Sequence, residues 1–476
     1  MDRPRRRFPP AGFASPAAVR SHGAMPHAGS ITAPRSASPR RAVWQLAWPV
    51  ILAMLSESLV GLVDMLMVAQ LGGTAVAAVG VGGQILGAVA VVVTAVGTGT
   101  VTLVARGVGA RDSVLAQSAT AQSMVAAMIL GTAMSLPVFL TAEPLVGLFG
   151  VETEVVAEAG LYVRTVMLSV APGAVLFVIG SALRGAGDTR TPLWVGLGVN
   201  VINVFANWVL IFGHLGFPAL GVLGSALATS LSFTAGGAVA TALVLSRRLR
   251  IHVRLADLRP DSAMIRRVLH IGYPAGIEQL MMQIGFLLYL TFAARYGTEA
   301  IAAYFIGVRI LALSFLPGFG FAAAASTLVG QSLGARNADR ATDAGWRATR
   351  MSVALMCVGG LGVMAFAEPI AYLFVDEAAV VAGTVSFLYM LGLSQPFMAI
   401  DFTLGGALRG AGDTRFPLWT MLVAFYVVRL GTSALVVWVL DLSLAWLWAT
   451  LIGDYMVRAL LKGWRFHSGR WRTIEV

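Results

Sequence analysis

The sequence predicts an all-α polytopic membrane protein, in which twelve transmembrane helices form two six-helix lobes related as parallel repeats. Three observations lead to this fold class. Of the 476 residues, 57% are hydrophobic and 12% are charged, whereas a soluble domain carries about 25% charged residues. The apolar residues are concentrated in segments long enough to cross a bilayer. Landmarks of the first half of the chain also recur in the second half at a constant spacing.

The composition excludes several classes of protein. A soluble enzyme and a disordered protein are incompatible with a mean hydropathy of +0.79. The net charge of +11 does not indicate nucleic-acid binding, because the basic residues form short clusters between apolar segments. With a single cysteine, Cys357, the chain has neither an internal disulfide nor a Cys/His metal cluster. No phosphate-binding loop is present, so we expect no use of ATP. None of the six histidines has the spacing of a metal ligand, and we expect neither a metal nor an organic cofactor.

Residues 1–43 differ from the rest of the chain. They are rich in Arg, Pro, Ser and Ala, and Asp2 is the single acid. Such a segment cannot bury a core, so it is predicted to be a disordered cytoplasmic tail. It lacks the apolar centre of a secretory signal, although its Arg-rich character also fits a transit peptide. A translation start at Met25, or processing that removes residues 1–24, is a further alternative.

Twelve apolar segments follow this tail. Most far exceed the roughly 10 residues that a barrel strand needs, and they lack the polar–apolar alternation of such strands. They are therefore predicted to be transmembrane helices. Their approximate spans are 44–70, 75–104, 114–141, 154–181, 191–213, 221–246, 266–295, 299–330, 345–367, 379–407, 417–440 and 443–464.

The basic residues predict the orientation of these helices. Of the 34 Lys and Arg residues, 30 lie on one side of the membrane, in the N-terminal tail, the even-numbered connections and the C-terminal end. Basic connections stay in the cytoplasm, so both termini are predicted to be cytoplasmic in a protein of the cell inner membrane. The odd-numbered connections carry acids instead, namely Glu143, Glu152, Glu154, Glu299, Glu368, Asp376, Glu377 and Asp441.

An internal repeat divides the chain into two copies of one unit. Residues 183–194 read LRGAGDTRTPLW and residues 408–419 read LRGAGDTRFPLW, so eleven of twelve positions match. We call the distance along the chain from residue 183 to residue 408 the repeat spacing. The same spacing relates three further landmarks, which are Pro49 and Pro274, Gly72 and Gly297, and the two Gly-Ala-Arg sequences at 109–111 and 334–336. The repeated loop itself is interpreted as structural, since its glycines allow a tight turn and its Asp and Thr residues can cap the next helix.

Each copy has an even number of helices, so the copies are parallel repeats related by an axis along the membrane normal. The predicted domains are a first lobe at 44–250, a cytoplasmic linker at 251–264, a second lobe at 265–465 and a cytoplasmic tail at 466–476. This symmetry is typical of secondary transporters, in which the lobes rock about a central site to give alternating access.

Several motifs resemble those of the multidrug and toxic compound extrusion (MATE) transporters. Pro49, Glu57, Gly61 and Asp64 form one motif, and the Gly-Ala-Arg and RGAGDTR loops and the stretch 200–230 add others. The resemblance runs from about residue 44 to 465, and in detail is nearer to the DinF-like branch than to the sodium-coupled NorM branch. It implies a monomeric twelve-helix protein that exports organic, often cationic, compounds in exchange for H⁺ or Na⁺.

Asp64 is the first candidate for ion coupling. It lies 23 residues after Arg41, about 34 Å along a helix, and Glu57 lies two turns earlier on the same face. A carboxylate away from water favours its protonated form, so it can exchange a proton for a cation. Asp64 also matches the coupling aspartate that the resemblance implies for the first helix. The alternative is a carboxylate permanently bonded to neighbouring helices.

Asn203 and Asn207 are candidate partners of Asp64. They lie one turn apart on segment 5, and Asn207 is 17 residues past Arg190, about 25 Å into the membrane. Related transporters often carry an aspartate at the position of Asn207, so this site has one acid fewer. The alternative is that both amides simply hold helices together.

The second lobe contains four ionisable residues within its segments: Glu278, Asp401, Arg309 and Arg429. Glu278 and Asp401 are predicted at similar depths, and acids on these helices bind the ion in the sodium-coupled branch. Both are displaced here by about one turn, since Met282 occupies the expected position on segment 7. Because two acids and two arginines neutralise each other, we favour a structural or gating ion-pair network over a cation site.

The substrate cavity is the weakest prediction. Met282, Tyr289, Phe305 and Met398 are flexible or aromatic residues that could line a cavity of broad specificity. Such residues are more often part of the core or face lipid.

The sequence thus predicts a secondary active exporter of small organic cations by H⁺ antiport, with the lipid bilayer as its surroundings. The alternatives are a Na⁺-coupled antiporter that uses Glu278 and Asp401, and a flippase for a lipid-linked precursor. The acids of the first lobe favour cationic or neutral cargo over the flippase. An intramembrane enzyme is disfavoured, since no nucleophile accompanies these acids.

Overall fold

The structure is a computed structural model that describes residues 38–246 and 248–476. The predicted tail up to residue 37, with Met25 and residues 1–24, lies outside the described residues. The described residues are almost entirely helical, and we number the membrane-spanning helices in chain order. They are α1 Pro39–Ala69, α2 Gly73–Ala110, α3 Ser113–Leu140, α4 Thr153–Met167 with Val170–Gly185, α5 Arg190–Phe212, α6 Gly221–Leu245, α7 Ser262–Ala293, α8 Thr298–Gly334, α9 Ala338–Ala365, α10 Ala378–Gly410, α11 Arg415–Val439 and α12 Leu444–His467.

The twelve predicted segments correspond to these helices one by one. Eleven helices are long and apolar enough to cross a membrane, and the two parts of α4 together make the twelfth. The parts of α4 meet at an angle of 51° after Met167. Short helices at Ala142–Gly147 and Ala367–Tyr372 follow α3 and α9 at equivalent places in the two halves. We call α1–α6 the first lobe and α7–α12 the second lobe.

Helix α11 departs from the regular span that the sequence predicts. It contains two π-helical stretches, Leu422–Leu430 and Leu435–Val439, around a short α-helical turn. The wider turns free main-chain carbonyl groups, which side-chain hydroxyls can satisfy. The carbonyl of Arg429 accepts hydrogen bonds from Ser433 Oγ at 2.7 Å and from Thr432 Oγ1 at 3.2 Å.

Two predicted boundaries need correction. The N-terminal tail was expected to reach residue 43, but α1 begins at Pro39, where the Ser38 hydroxyl caps the first turn. The C-terminal tail was expected to begin at residue 466, but α12 ends at His467. Trp471 is fully buried and stacks on Phe466 with 4.6 Å between the ring centroids, so apolar burial holds this segment against the second lobe.

The two lobes repeat the same helix packing. Gly82 of α2 lies against the ring of Tyr162 of α4, and one repeat spacing later Gly307 of α8 lies against the ring of Phe387 of α10. A side chain at either glycine would collide with the aromatic ring. Equivalent close contacts in both halves show that the sequence repeat is also a structural repeat.

The lobes meet through two equivalent hydrogen bonds. Thr102 Oγ1 of α2 donates to the main-chain oxygen of Arg409 at 2.8 Å, and Thr327 Oγ1 of α8 donates to that of Arg184 at 2.9 Å. The two donors are related by the repeat spacing, and so are the two acceptors. The carbonyls belong to the repeated RGAGDTR loops, so each loop contacts the opposite lobe. We call the side of the molecule that carries these loops the basic side, and the other the acidic side.

Glycines permit close backbone contact around these bonds. A side chain at Gly99 would collide with the carbonyl of Val268, and one at Gly272 with that of Ala95. The contact between α2 and the second lobe ends toward the acidic side. Gly87 of α2 still lies next to the side chain of Gln283 of α7, whereas Gly83 has no neighbouring atom where a side chain would lie. The lobes are therefore in close contact at the basic side, and we call the space between them toward the acidic side the cleft.

The two interlobe hydrogen bonds should stabilise the closed basic side. We expect Thr102→Val combined with Thr327→Val to remove about 1 kcal/mol per bond, which lowers the ratio of closed to open protein by roughly 30-fold. Spin labels at the equivalent exposed positions Val114 and Asp339, at the starts of α3 and α9, would report this as longer distances in pulsed electron resonance.

The matched control is Thr100→Val, in the same background lacking Cys357. Thr100 is buried on α2 but donates within its own helix, to the carbonyl of Val96 at 2.7 Å. Its substitution should leave the distance distribution unchanged. Equal shifts in the control and the double variant would show that the interlobe bonds do not hold the basic side closed.

Candidate ion-coupling site

Asp64 lies inside the first lobe, where α1 packs against α5. Asn207 Nδ2 donates to Asp64 Oδ1 at 2.6 Å, and the side-chain amide of Asn203 lies 2.9 Å from both carboxylate oxygens when its nitrogen faces them. Asn207 is fully buried, Asn203 is 6% exposed, and Asp64 is half-buried. The structure thus brings together the three residues that the sequence predicts.

The Asn203 amide can serve Asp64 in either protonation state. An amide nitrogen donates to a carboxylate, whereas an amide oxygen accepts from a protonated carboxyl group. Rotation of the Asn203 amide exchanges these two groups at the same 2.9 Å position. Neither the charged nor the neutral form of Asp64 therefore leaves this contact unsatisfied, which is what reversible proton binding at this depth requires.

Glu57 is exposed and lies two turns nearer the basic side than Asp64. It is within electrostatic range of the Arg184 guanidinium, but among the described residues no ion pair joins them. Ser56 Oγ accepts from Asn200 Nδ2 at 2.8 Å, which fixes this part of α1 against α5. Glu57 is thus near the Asp64 site but does not contact the Asn203 and Asn207 amides.

Two further polar residues surround the site and were missed by the sequence analysis. Tyr162 of α4 is 6% exposed and lies near Asp64 and near Thr229 of α6. The repeat held a signal, because the residue one repeat spacing after Tyr162 is Phe387. A hydroxyl present in one repeat and absent from the other indicates a role other than packing.

The acids of the second lobe do not pair with each other. Glu278 of α7 binds the guanidinium of Arg409 at 2.6 Å, and Asp401 of α10 binds Lys462 Nζ of α12 at 2.5 Å. Arg409 belongs to the repeated loop, and Lys462 is one of the basic residues at the C-terminal end of the chain. A long side chain near a helix end can reach inward to a carboxylate, so distance along the chain alone misjudged these partners.

Arg429 belongs to a separate buried group. It is 1% exposed, lies 3.8 Å from Asp454 of α12, and covers the ring of Tyr289 at 4.2 Å. Asp454 also pairs with Arg458 at 2.7 Å, as its spacing of four residues along the helix predicts. The predicted network of four residues in this lobe is therefore wrong in its members, since Arg429 pairs with Asp454 and not with Glu278 or Asp401.

Arg309 and two of the predicted cavity residues also differ from expectation. Arg309 is exposed and forms no ion pair with any residue that the structure describes, so its predicted place in that network is wrong. Tyr289 and Met398 are fully buried in the core of the second lobe and cannot line a cavity. Met282 is half-buried, and Phe305 is 53% exposed.

The repeat relates the Asp64 site to the group around Arg429. The counterparts of Asp64, Asn207 and Thr229, one repeat spacing later, are Tyr289, Thr432 and Asp454. The equivalent place in the second lobe thus holds a guanidinium between an aromatic ring and a carboxylate. The first lobe keeps an acid with neutral amide partners, whereas the second lobe holds two arginines, Arg429 and Arg458, around the single carboxylate of Asp454.

Twelve helices in two parallel-repeat lobes, with an ionisable site inside one lobe and a cleft between them, are the architecture of a secondary membrane transporter. Comparison with known proteins defines the family. The MatE family profile matches residues 49–209 and 274–435, two ranges that begin one repeat spacing apart at Pro49 and Pro274. The chain belongs to the MatE family of multi-pass membrane transporters.

Individual relatives are similar to this chain over most of its length. The chain is 29% identical over 438 residues to a probable multidrug resistance protein NorM of Thermotoga maritima, covering 92% of this chain and 94% of that protein. The solved outward-facing structure of a multidrug resistance MATE transporter of the MOP superfamily has a TM-score of 0.84 at 24% identity, covering 91% of this chain and 97% of that one. A MOP superfamily transporter from Pyrococcus furiosus has the same TM-score at 24% identity, covering 92% and 96%. These comparisons confirm the family and the fold, while the DinF-like branch stays a prediction.

The buried pair between Asp401 and Lys462 yields a stability prediction. Lys462→Met leaves the Asp401 carboxylate, 4% exposed, without a partner, which should destabilise the protein by about 3–5 kcal/mol. The double variant Asp401→Asn with Lys462→Met removes both charges and should recover most of this loss. Thermal unfolding in detergent would compare the two variants with the wild type.

The exposed pair between Arg347 and Asp343 is the control. Its side chains are 36% and 49% exposed, so Asp343→Asn should change the stability by less than about 1 kcal/mol. If Lys462→Met were as stable as Asp343→Asn, the Asp401 carboxylate would be reached by water and the proposed burial would be incorrect.

Proposed function

We propose that the protein exports small organic cations from the cell by antiport with protons, with the two lobes rocking about the central cleft. Protonation and deprotonation of Asp64 couple the two fluxes. The proton and the substrate compete for the first lobe, because a cation in the cleft favours the charged form of Asp64. Such competition supplies the difference in affinity between the two states that exchange requires.

The observation that carries this proposal is the pair of amides around Asp64. Asn207 and Asn203 bring hydrogen-bonding capacity but no charge to within 2.6 and 2.9 Å of the carboxylate. A fixed cation in their place would hold Asp64 permanently ionised. The neutral surroundings support exchange of a proton, and the NorM relative named above is described as a probable multidrug resistance protein.

Proton coupling is favoured over sodium coupling by the ion pairs of the second lobe. Glu278 and Asp401, the candidate sodium ligands, each lie within 2.6 Å of a basic group. A sodium ion would have to displace Arg409 or Lys462 to gain these oxygen ligands. The network therefore supports a structural role, and we expect no cofactor beyond the coupling proton.

The distribution of charge supports the cellular orientation. The basic side carries both ends of the described chain and the two RGAGDTR loops, so we assign it to the cytoplasm and the acidic side to the exterior. The chain would then act as a monomer in the cell inner membrane, with the cleft open outward. A small-molecule substrate and the bilayer are its expected partners.

Transport by purified protein in liposomes tests the coupling. We expect efflux of ethidium under an imposed pH gradient, and its loss in Asp64→Asn, because the amide cannot carry the proton. An imposed Na⁺ gradient should be without effect. The control Glu143→Gln changes a carboxylate of the same lobe that is 50% exposed and paired with Arg164 at the acidic side, and it should transport normally.

Two outcomes would contradict the proposal in different ways. Transport that needs Na⁺ and survives Asp64→Asn would move the coupling to Glu278 and Asp401. Absence of cation transport under either gradient would leave a lipid-linked precursor as the cargo to examine next.

A further inference from the structure

The segment that follows α12 lies against both lobes at the basic side. We call residues 470–476 the strap. It begins with one 3₁₀ turn, in which the buried Trp471 donates through Nε1 to the main-chain oxygen of Phe466 at 2.7 Å. Arg472 reaches α9, where it donates to Thr342 Oγ1 at 2.9 Å. The start of the strap is therefore anchored to the second lobe.

The end of the strap contacts the first lobe. The guanidinium of Arg106, on α2, donates to the main-chain oxygen of Ile474 at 3.1 Å and to that of Ala411 at 2.9 Å. Ala411 belongs to the second RGAGDTR loop, so one side chain of the first lobe holds both this loop and the strap. Arg267, near the start of α7, donates to the main-chain oxygen of Val476. The strap therefore spans the boundary between the lobes.

The internal repeat shows that Arg106 does more than join the lobes. Its counterpart one repeat spacing later is Gln331, which donates through Nε2 to the main-chain oxygen of Gly185 at 2.9 Å. Each of the two residues thus bonds the RGAGDTR loop of the opposite lobe. Arg106 adds the bond to Ile474. The two copies therefore differ at the residue that holds the strap.

The strap also packs on the second RGAGDTR loop. Gly187 and Gly412 are equivalent glycines of the two loops, with φ of +86° and +90°. A side chain at Gly412 would collide with Val476, whereas the nearest atom to a side chain at Gly187 is Gln331 Nε2 at 3.4 Å. The second loop is thus covered by the strap at the place where the first loop meets a side chain of the opposite lobe.

We propose that the strap holds the basic side closed, and that opening of this side requires its release from Arg106. When the basic side opens, α2 must leave the second loop, because Thr102 and Arg106 bond that loop across the lobe boundary. The strap is anchored to the second lobe, so the same movement breaks the bond between Arg106 and Ile474. This charge-assisted hydrogen bond therefore opposes opening in addition to the bonds that join the lobes directly. The role of the strap does not depend on the cargo or on the coupling ion.

Replacing Arg106 by the residue of its counterpart tests the proposal. We expect Arg106→Gln to keep one bond to the loop, as Gln331 does, and to lose the bond to Ile474. In a background lacking Cys357, a nitroxide label at the exposed residue Glu475 should therefore become more mobile in the variant. The line shape of the electron resonance spectrum reports this mobility.

The effect on the basic side is measured as the distance between two nitroxide labels in the same background. Val114 and Arg340 are exposed at the starts of α3 and α9, one in each lobe. We expect Arg106→Gln to raise the ratio of open to closed protein about tenfold, as the loss of one charge-assisted hydrogen bond allows. Trp471→Ala removes the anchor of the strap on the second lobe and should also favour the open form. Because both variants release the same strap, the double variant should open far less than the product of the two single effects.

The control is Arg111→Asn, which removes an exposed cation from the end of the same helix and should leave both measurements unchanged. Asn tolerates the left-handed backbone of this position, where φ is +59°. An equally immobile label at Glu475 in Arg106→Gln would show that the bond does not hold the strap. Unchanged distances in both single variants, or single effects that simply multiply in the double variant, would overturn the proposal.

Discussion

A charge inside the hydrocarbon core must have a partner or face water, and this constraint sorts the ionisable residues of the protein into three groups. In the second lobe, Glu278, Asp401 and Asp454 are held by basic side chains. In the first lobe, Asp64 has amides as its partners, so its charge is not balanced by a neighbouring cation. Glu57 and Arg309 are exposed and have neither kind of partner among the described residues. The first group therefore contributes mainly to stability, and the proton exchange that we propose concerns Asp64.

Duplication explains why these groups occupy comparable places. The interlobe bonds from Thr102 and Thr327, and the aromatic contacts at Gly82 and Gly307, have the same geometry in both halves. Packing and the closed basic side are thus properties of the repeat itself. The candidate residues Asp64 and Asn207 lie at positions where the two copies differ. Residues that pack the helices are therefore expected to match between the two copies, and candidate site residues are expected to differ.

The fold could be predicted from the sequence because it depends on patterns that a bilayer enforces. The length of the apolar segments, the side of the membrane on which the basic residues lie and the internal repeat can all be read from the sequence. The cluster of Asp64 with Asn203 and Asn207 could also be predicted, since helix pitch places them at one depth on adjacent helices. The fold and this cluster could be predicted because they depend on how far along its helix each residue lies, and not on the conformation of its side chain.

The partners in the second lobe could not be predicted in the same way. Lys462 reaches Asp401 through four methylene groups, and Arg409 reaches back from a helix end to Glu278, so the depth of the Cα atom says little about the depth of the charge. The π-helical turns of α11 rotate Arg429 away from the position that a regular helix gives. Rotamers and local helix widening are set by tertiary packing, which periodicity does not encode.

The contrast between the lobes has a consequence for the transport cycle. A proton that leaves Asp64 changes the charge of the first lobe by one unit, whereas the paired residues of the second lobe give no reason for a matching change. In the proposed cycle the first lobe therefore alternates between a charged and a neutral Asp64, while the charge of the second lobe stays constant. A cationic substrate is therefore released in this cycle when Asp64 regains its proton, because the second lobe offers no matching change.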